Sequence, residues 1–186
     1  AVDAMAARVQ NRMFAEMYRH GVRSYVLDND DSLFKFLLHL ERTPVDIEEF
    51  IDSPEFLGAT DLELWPEVRK SIVELNQFWW KGPNDGAYTD GLLMGATGTG
   101  KTSIAVVTTL YHLYLCSCLD NPQAVYGFPK TTSIVFAIMG AKPRVVNKVI
   151  YIPMRKLVES MPYFQKHCMP SKLIESEMYF EDKNIR

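Results

Sequence analysis

Leu92-Leu93-Met94-Gly95-Ala96-Thr97-Gly98-Thr99-Gly100-Lys101-Thr102 decides the fold. A short apolar run leads into a glycine-rich loop, and a long helix is predicted from about Lys101. Gly95 to Thr102 fits G-x-x-x-x-G-K-[ST] at every position. A loop of this kind wraps a phosphate with its backbone N–H groups. Gly95, Gly98 and Gly100 lack a Cβ, so the chain can take the needed torsions and approach closely. The helix that follows points the positive end of its dipole at the phosphates. Lys101 brings an ammonium to the β- and γ-phosphates and is the candidate catalytic residue. The Thr102 hydroxyl is the candidate Mg²⁺ ligand, since Mg²⁺ takes oxygen donors shared with phosphate. The nucleotide-binding candidates are Gly95, Ala96, Thr97, Gly98, Thr99, Gly100, Lys101 and Thr102. The loop specifies a nucleoside triphosphate with Mg²⁺ and does not separate ATP from GTP.

Downstream, Thr102 to Leu119 is 18 residues without a charged side chain. That approaches the length of a membrane span. Thr102, Ser103, Thr108, Thr109, His112 and Ser117 interrupt it, and a buried helix behind the loop fits better. A loop with Asn121, Pro122, Gly127 and Pro129 follows. Ser133 to Met139 then reads as a parallel strand covered on both faces, and Gly140 and Pro143 lead into a helix to about Ser160. Strand, loop, helix, strand, helix predicts an α/β fold, the doubly wound, mainly parallel sheet of P-loop NTPases. Hydrolysis needs a second acid at the end of a buried strand. After Lys101 no apolar run ends in Asp or Glu: Ile134 to Met139 ends in Gly140. Tyr25-Val26-Leu27-Asp28 is a look-alike among helical segments and is rejected. The P-loop fold is therefore expected to be incomplete here.

Upstream the chain reads as helical. Met5, Val9, Met13 and Met17 form one stripe, with Gly21 placed to end the helix. Asp30, Asp31 and Ser32 offer caps for a second helix, which Pro44 should stop. Asp46 can cap a short third helix through Phe50. Ser53-Pro54 opens a turn that Gly58 closes. Trp65 precedes Pro66 and should be extended. Pro66 then starts a helix with Val68, Ile72, Leu75 and Trp79 on one side. Lys81 to Gly86 is a loop by composition. Trp65 is either a core aromatic or a base-stacking residue ahead of the phosphate loop.

The composition excludes general disorder: of 186 residues, 47% are apolar and 23% charged. The net charge of −3 hides an asymmetry. Residues 1–90 hold 17 acids and 9 bases, and residues 91–186 hold 6 acids and 11 bases. A basic half raises the prospect of an anionic partner. Taken as helical, residues 141–160 place Arg144, Lys148 and Arg155 within about 40° of one another. They are a solvated face or a set of DNA phosphate contacts; one could also serve as an arginine finger on a neighbouring subunit. Pro153 should bend that helix. Cys116, Cys118 and Cys168 lack zinc-ligand spacing and read as buried free thiols.

The tract TSIAVVTTLYHLYLCSCLDNPQAVYGFPKTTSIVFAIMG, residues 102–140, resembles the large terminase subunits of tailed bacteriophages. Ser53 to Gly58, Leu64-Trp65-Pro66 and Ser160 to Phe164 are similar in placement, so the resemblance covers about Ile47 to Phe164. It implies an ATP-driven motor that moves double-stranded DNA through a portal protein into a procapsid. It implies a small terminase subunit as partner, a homo-oligomeric ring, and a place in the host cytoplasm at the portal vertex. It also implies an ATPase domain followed by a nuclease domain. On this reading residues 1–60 are a helical N-terminal extension and residues 61–186 the first part of the ATPase domain. Trp65 sits where an adenine contact is expected. Ala96 and Thr97 depart from members with an Arg in the loop. The expected activity is Mg-ATP binding with little hydrolysis. The alternatives are another P-loop NTPase, helicase-like or a nucleotide kinase, and a non-catalytic docking module.

Overall fold

The computed structural model describes residues 12–28, 32–80, 88, 90–171 and 177–186. Met5, Val9, Asp30, Asp31 and the Lys81–Gly86 loop lie outside the described residues. The helices are α1 (Arg12–Asp28), α2 (Ser32–Leu38), α3 (Ile47–Asp52), α4 (Pro66–Asn76) and α5 (Lys101–Ser117). They continue with α6 (Pro122–Val125), α7 (Pro143–Val146), α8 (Ile152–Ser160) and α9 (Pro162–His167).

Several boundaries follow from local chemistry. Asp46 caps α3, its carboxylate accepting the Glu49 N–H at 2.8 Å. Trp65 is extended (φ −64°, ψ 147°) and Pro66 opens α4 at a position where its missing N–H costs nothing. Two expected stops fail. Gly21 does not end α1, which continues to Asp28. It is buried, and a Cβ there would stand 3.4 Å from Leu33 Cδ2, so its role is the approach of α2. Pro44 does not end α2 either, which stops at Leu38. The chain there leaves the helix to meet the end of α5: the Glu41 and Arg42 N–H groups donate to Cys118 O at 2.9 and 3.1 Å, and the Asp120 N–H donates to His39 O at 2.8 Å.

The core is built on the C-terminal half of α5. Every residue from Leu110 to Leu119 except His112 is buried. Tyr114 packs among Phe50, Phe56 and Tyr163, with ring centroids 4.9–5.2 Å apart. Tyr111 and Tyr114 together satisfy the peptide groups of Val45. The Tyr111 hydroxyl donates to Val45 O at 3.0 Å, and the Val45 N–H donates to the Tyr114 hydroxyl at 2.8 Å. These two hydroxyls and both Val45 peptide groups are thus paired, as a low-dielectric core favours. All three cysteines are free and buried. Burial pushes the Cys116 thiol up to about 12 and those of Cys118 and Cys168 to about 11.

Among the described residues there is no extended strand, only isolated bridges. One of them is a parallel contact. The Ile134 N–H donates to Asn184 O (3.1 Å), the Arg186 N–H to Ile134 O (2.8 Å) and the Phe136 N–H to Arg186 O (2.8 Å). That alternation is the parallel ladder pattern. Asn184, in the left-handed region at φ 50°, turns the chain so that Phe180 and Ile185 also pair. Gln123, 1% exposed, holds this corner, donating from Nε2 to Lys183 O (2.8 Å) and Asn184 O (3.3 Å).

The run Ser133 to Met139 is not covered on both faces, contrary to the sequence pattern. Ile134, Phe136 and Ile138 pack on the core, whereas Val135 and Met139 are 62% and 90% exposed. With one edge paired to 184–186, the backbone groups of Val135 and Ala137 face the other way and have no backbone partner among the described residues. An apolar groove of about 590 Å³ opens beside this run, lined by Thr109, Leu113, Val135, Met139 and Met154 among others. Leu92 and Met94, ahead of the glycine-rich loop, are likewise exposed, at 85% and 82%.

Candidate functional site

The glycine-rich loop has the backbone its composition dictates. Gly95, Gly98 and Gly100 take φ of +149°, +86° and +79°, a region that L side chains avoid. Gly100 is doubly constrained: a Cβ there would stand 2.3 Å from Val68 Cγ2, so the loop rests directly on α4. Gly100 is also the N-cap of α5. The first helical N–H to find a partner is that of Ile104, which donates to Gly100 O at 3.0 Å. The N–H groups of Lys101, Thr102 and Ser103 thus have no intrahelical acceptor and point out of the helix start. They present an anion site reinforced by the helix dipole.

Lys101 folds back over this loop. Its ammonium donates to Gly95 O (2.8 Å), to Ala96 O and to Thr99 Oγ1 (3.2 Å). Thr99 in turn donates to Ala96 O at 3.0 Å. A positive group is held in the same concavity as the free helical amides, and residues 95–99 are all exposed to solvent. A family model described as "Uncharacterized protein MJ0330, N-terminal P-loop domain" matches residues 7–185. The chain belongs to that P-loop family. No curated protein and no solved structure matches it.

In this P-loop domain the sequence-based candidates fall into two groups. Gly95, Ala96, Thr99, Gly100 and Lys101 are brought together by the contacts above. Thr97 is exposed at the tip, and Gly98 shapes the turn in open space, where a Cβ would meet no atom within 4 Å. Thr102 is exposed in the first turn of α5, and its hydroxyl makes no hydrogen bond among the described residues, unlike Thr109, which bonds back to Ala105 O at 2.8 Å. An unengaged hydroxyl oxygen at this place fits the donor chemistry of Mg²⁺. No group of three or more His, Cys, Asp or Glu among the described residues could hold a metal ion by itself.

Trp65 is 70% exposed, so the core reading fails. It stands at the N-cap of α4, one turn before Val68, the residue that touches Gly100. The basic stripe is divided. Arg144 and Lys148 are exposed. Arg155 is engaged: Nε donates to Glu159 Oε1 at 2.9 Å and Nη1 to the Tyr151 hydroxyl at 3.5 Å. The predicted single stripe is broken by a π turn over Asn147–Tyr151. Pro153 has no N–H to offer, and the Ile152 N–H bonds instead to Asn147 O, five residues back. The wider turn changes the phase between Lys148 and Arg155.

Two contributors went unseen in the sequence. Val68 carries no signal, because an apolar residue on an amphipathic helix is generic. Gln123, whose role the sequence does not reveal, is buried and holds the corner at Lys183 and Asn184. Thr99 is a candidate as part of the loop, but its bond to Lys101 carries no sequence signal at a variable position of the motif. No helix among the described residues is long and apolar enough to cross a membrane. The look-alike Tyr25 to Asp28 lies on α1 with Tyr25, Val26 and Leu27 exposed, which suits no buried acid-bearing strand.

Proposed function

We propose that this P-loop domain binds a nucleoside triphosphate with Mg²⁺ at Gly95 to Thr102 and serves as the nucleotide-binding part of an ATP-driven motor acting on double-stranded DNA. The observation that carries the nucleotide reading is the convergence of the Lys101 ammonium and the free amides of α5 on one exposed loop. Lys101 would exchange the two loop carbonyls for the β- and γ-phosphate oxygens while keeping the Thr99 hydroxyl as its third acceptor, and the amides would take the remaining phosphate charge. Thr102 would supply one oxygen ligand to Mg²⁺, whose charge would offset that of the phosphates. Trp65 offers an exposed ring face to the base. The acid that orients the attacking water is not among the runs that follow Lys101, so turnover by these residues alone is slow.

The sheet belongs to the same proposal. The parallel ladder at 134–136, the edge at Val135 and Ala137 with no backbone partner among the described residues, and the exposed Leu92 and Met94 support a mainly parallel α/β sheet. The DNA reading rests on the exposed Arg144 and Lys148 and on the terminase resemblance. Much of that resemblance falls on buried scaffold, including Tyr114, Cys118, Leu119 and Gln123. It therefore speaks for a shared core before it speaks for DNA.

Phosphate release measured with ATP, with GTP, and with and without double-stranded DNA separates the readings. The motor reading expects nucleotide binding with low turnover, raised by DNA. A nucleotide kinase gives no response to DNA, and a docking module binds no nucleotide. Robust turnover by this chain alone would show that its acid is already present.

A further inference from the structure

Thr99 occupies a variable position of G-x-x-x-x-G-K-[ST], so the motif asks nothing of it. The structure gives it two partners that matter. Its hydroxyl donates to Ala96 O at 3.0 Å and accepts from Lys101 Nζ at 3.2 Å. A Cβ on Gly95 would stand 3.2 Å from the same oxygen. The side chain therefore lies beside Gly95 and links the second residue of the loop, Ala96, to Lys101. A hydroxyl has one proton and two lone pairs to spend. Here the proton fixes a loop carbonyl, and a lone pair receives the ammonium. Ser103, two residues beyond Lys101, makes no comparable bond among the described residues. Lysine has a long flexible stem, and fixing it during binding is costly.

We propose that Thr99 is a positioning residue for Lys101: it holds the ammonium over the loop before the nucleotide arrives, and so sets the strength of nucleotide binding. This rests on the nucleotide reading above. The test is a titration of the full chain with Mg-ATP, carried to millimolar nucleotide, for the wild type, Thr99→Val, Thr99→Ser, Lys101→Ala and the double variant Thr99→Val with Lys101→Ala. Valine keeps the shape and removes both hydrogen bonds, and the expected loss of affinity is about threefold to tenfold. Serine keeps the hydroxyl and should restore affinity to within about twofold of wild type. Because Thr99 acts through Lys101, Thr99→Val should add no loss in the Lys101→Ala background. An equal loss in both backgrounds would show a merely structural effect on the loop and overturn the proposal. Wild-type affinity in Thr99→Val, or a serine variant as weak as the valine one, would also overturn it. Equal affinity of the wild type and Lys101→Ala would bring down the nucleotide reading itself, and this proposal with it.

Discussion

The two ends of α5 differ in almost every physical respect. At the C-terminal end Tyr111, Tyr114, Cys116 and Cys118 are buried, the two phenol oxygens paired with the Val45 peptide groups and the Cys118 thiol 3.6 Å from the Tyr163 hydroxyl. At the N-terminal end residues 91–99 are exposed, three glycines take positive φ, and the first helical amides have no intrahelical acceptor. The C-terminal half pairs its buried phenols within the fold. The N-terminal end leaves donors and a cation unsatisfied by the helix, and such groups are what a polyanion can use. One helix thus joins a buried anchor to an open anion site, and the loop itself rests on α4 through Val68.

The largest effect should come from breaking the anchor. Tyr114→Ala removes the ring at the centre of the aromatic cluster and the acceptor of the Val45 N–H. The expected loss is about 3–5 kcal/mol of stability, read as a fall in the urea midpoint. The folded fraction should still bind nucleotide with unchanged affinity, because the site lies at the other end of the helix.

Alkaline pH attacks the same end. Burial raises the Cys116, Cys118 and Cys168 thiols, and it raises the Tyr111, Tyr114 and Tyr163 phenols above their ordinary range as well. A raised acid favours folding while both states are protonated. That contribution is whole below the unfolded thiol value near 9 and is lost as pH rises toward 11–12. At pH 10 the loss should be about 1 kcal/mol for each thiol. Urea midpoints measured from pH 7 to 10 should fall steadily above pH 9, and a flat profile would mean that the thiols are not buried in solution.

A smaller effect should appear where the two ends meet. Gly100→Ala puts a methyl group into Val68 and strains the left-handed N-cap of α5. The expected cost is about 1–3 kcal/mol, seen in thermal unfolding, with a parallel loss of nucleotide affinity. Loss of stability with full affinity would show that the loop does not depend on α4.

The sequence made the phosphate loop legible because its physics is local. Glycines that need positive φ, a lysine and a helix start must follow one another in the chain. The cap at Asp46 and the Trp65-Pro66 helix start were legible for the same reason. Helix ends were misread at Gly21 and Pro44, where tertiary contacts override local propensity: Gly21 admits Leu33, and Cys118 O draws the chain out of α2. The Arg144–Arg155 stripe failed because a fixed 100° step cannot foresee the π turn that Pro153 imposes. Trp65 reads as either a core aromatic or a base-stacking residue, and its exposure removes the first.

The most direct measurement is a calorimetric titration of Mg-ATP into the wild-type chain and into Lys101→Ala, with unfolding midpoints taken on the same samples. The expected result is clear binding by the wild type, at least about tenfold weaker binding by Lys101→Ala, and equal midpoints for both. Equal affinity of the two chains for nucleotide would contradict the central claim that the open end of α5 is a phosphate site held by Lys101.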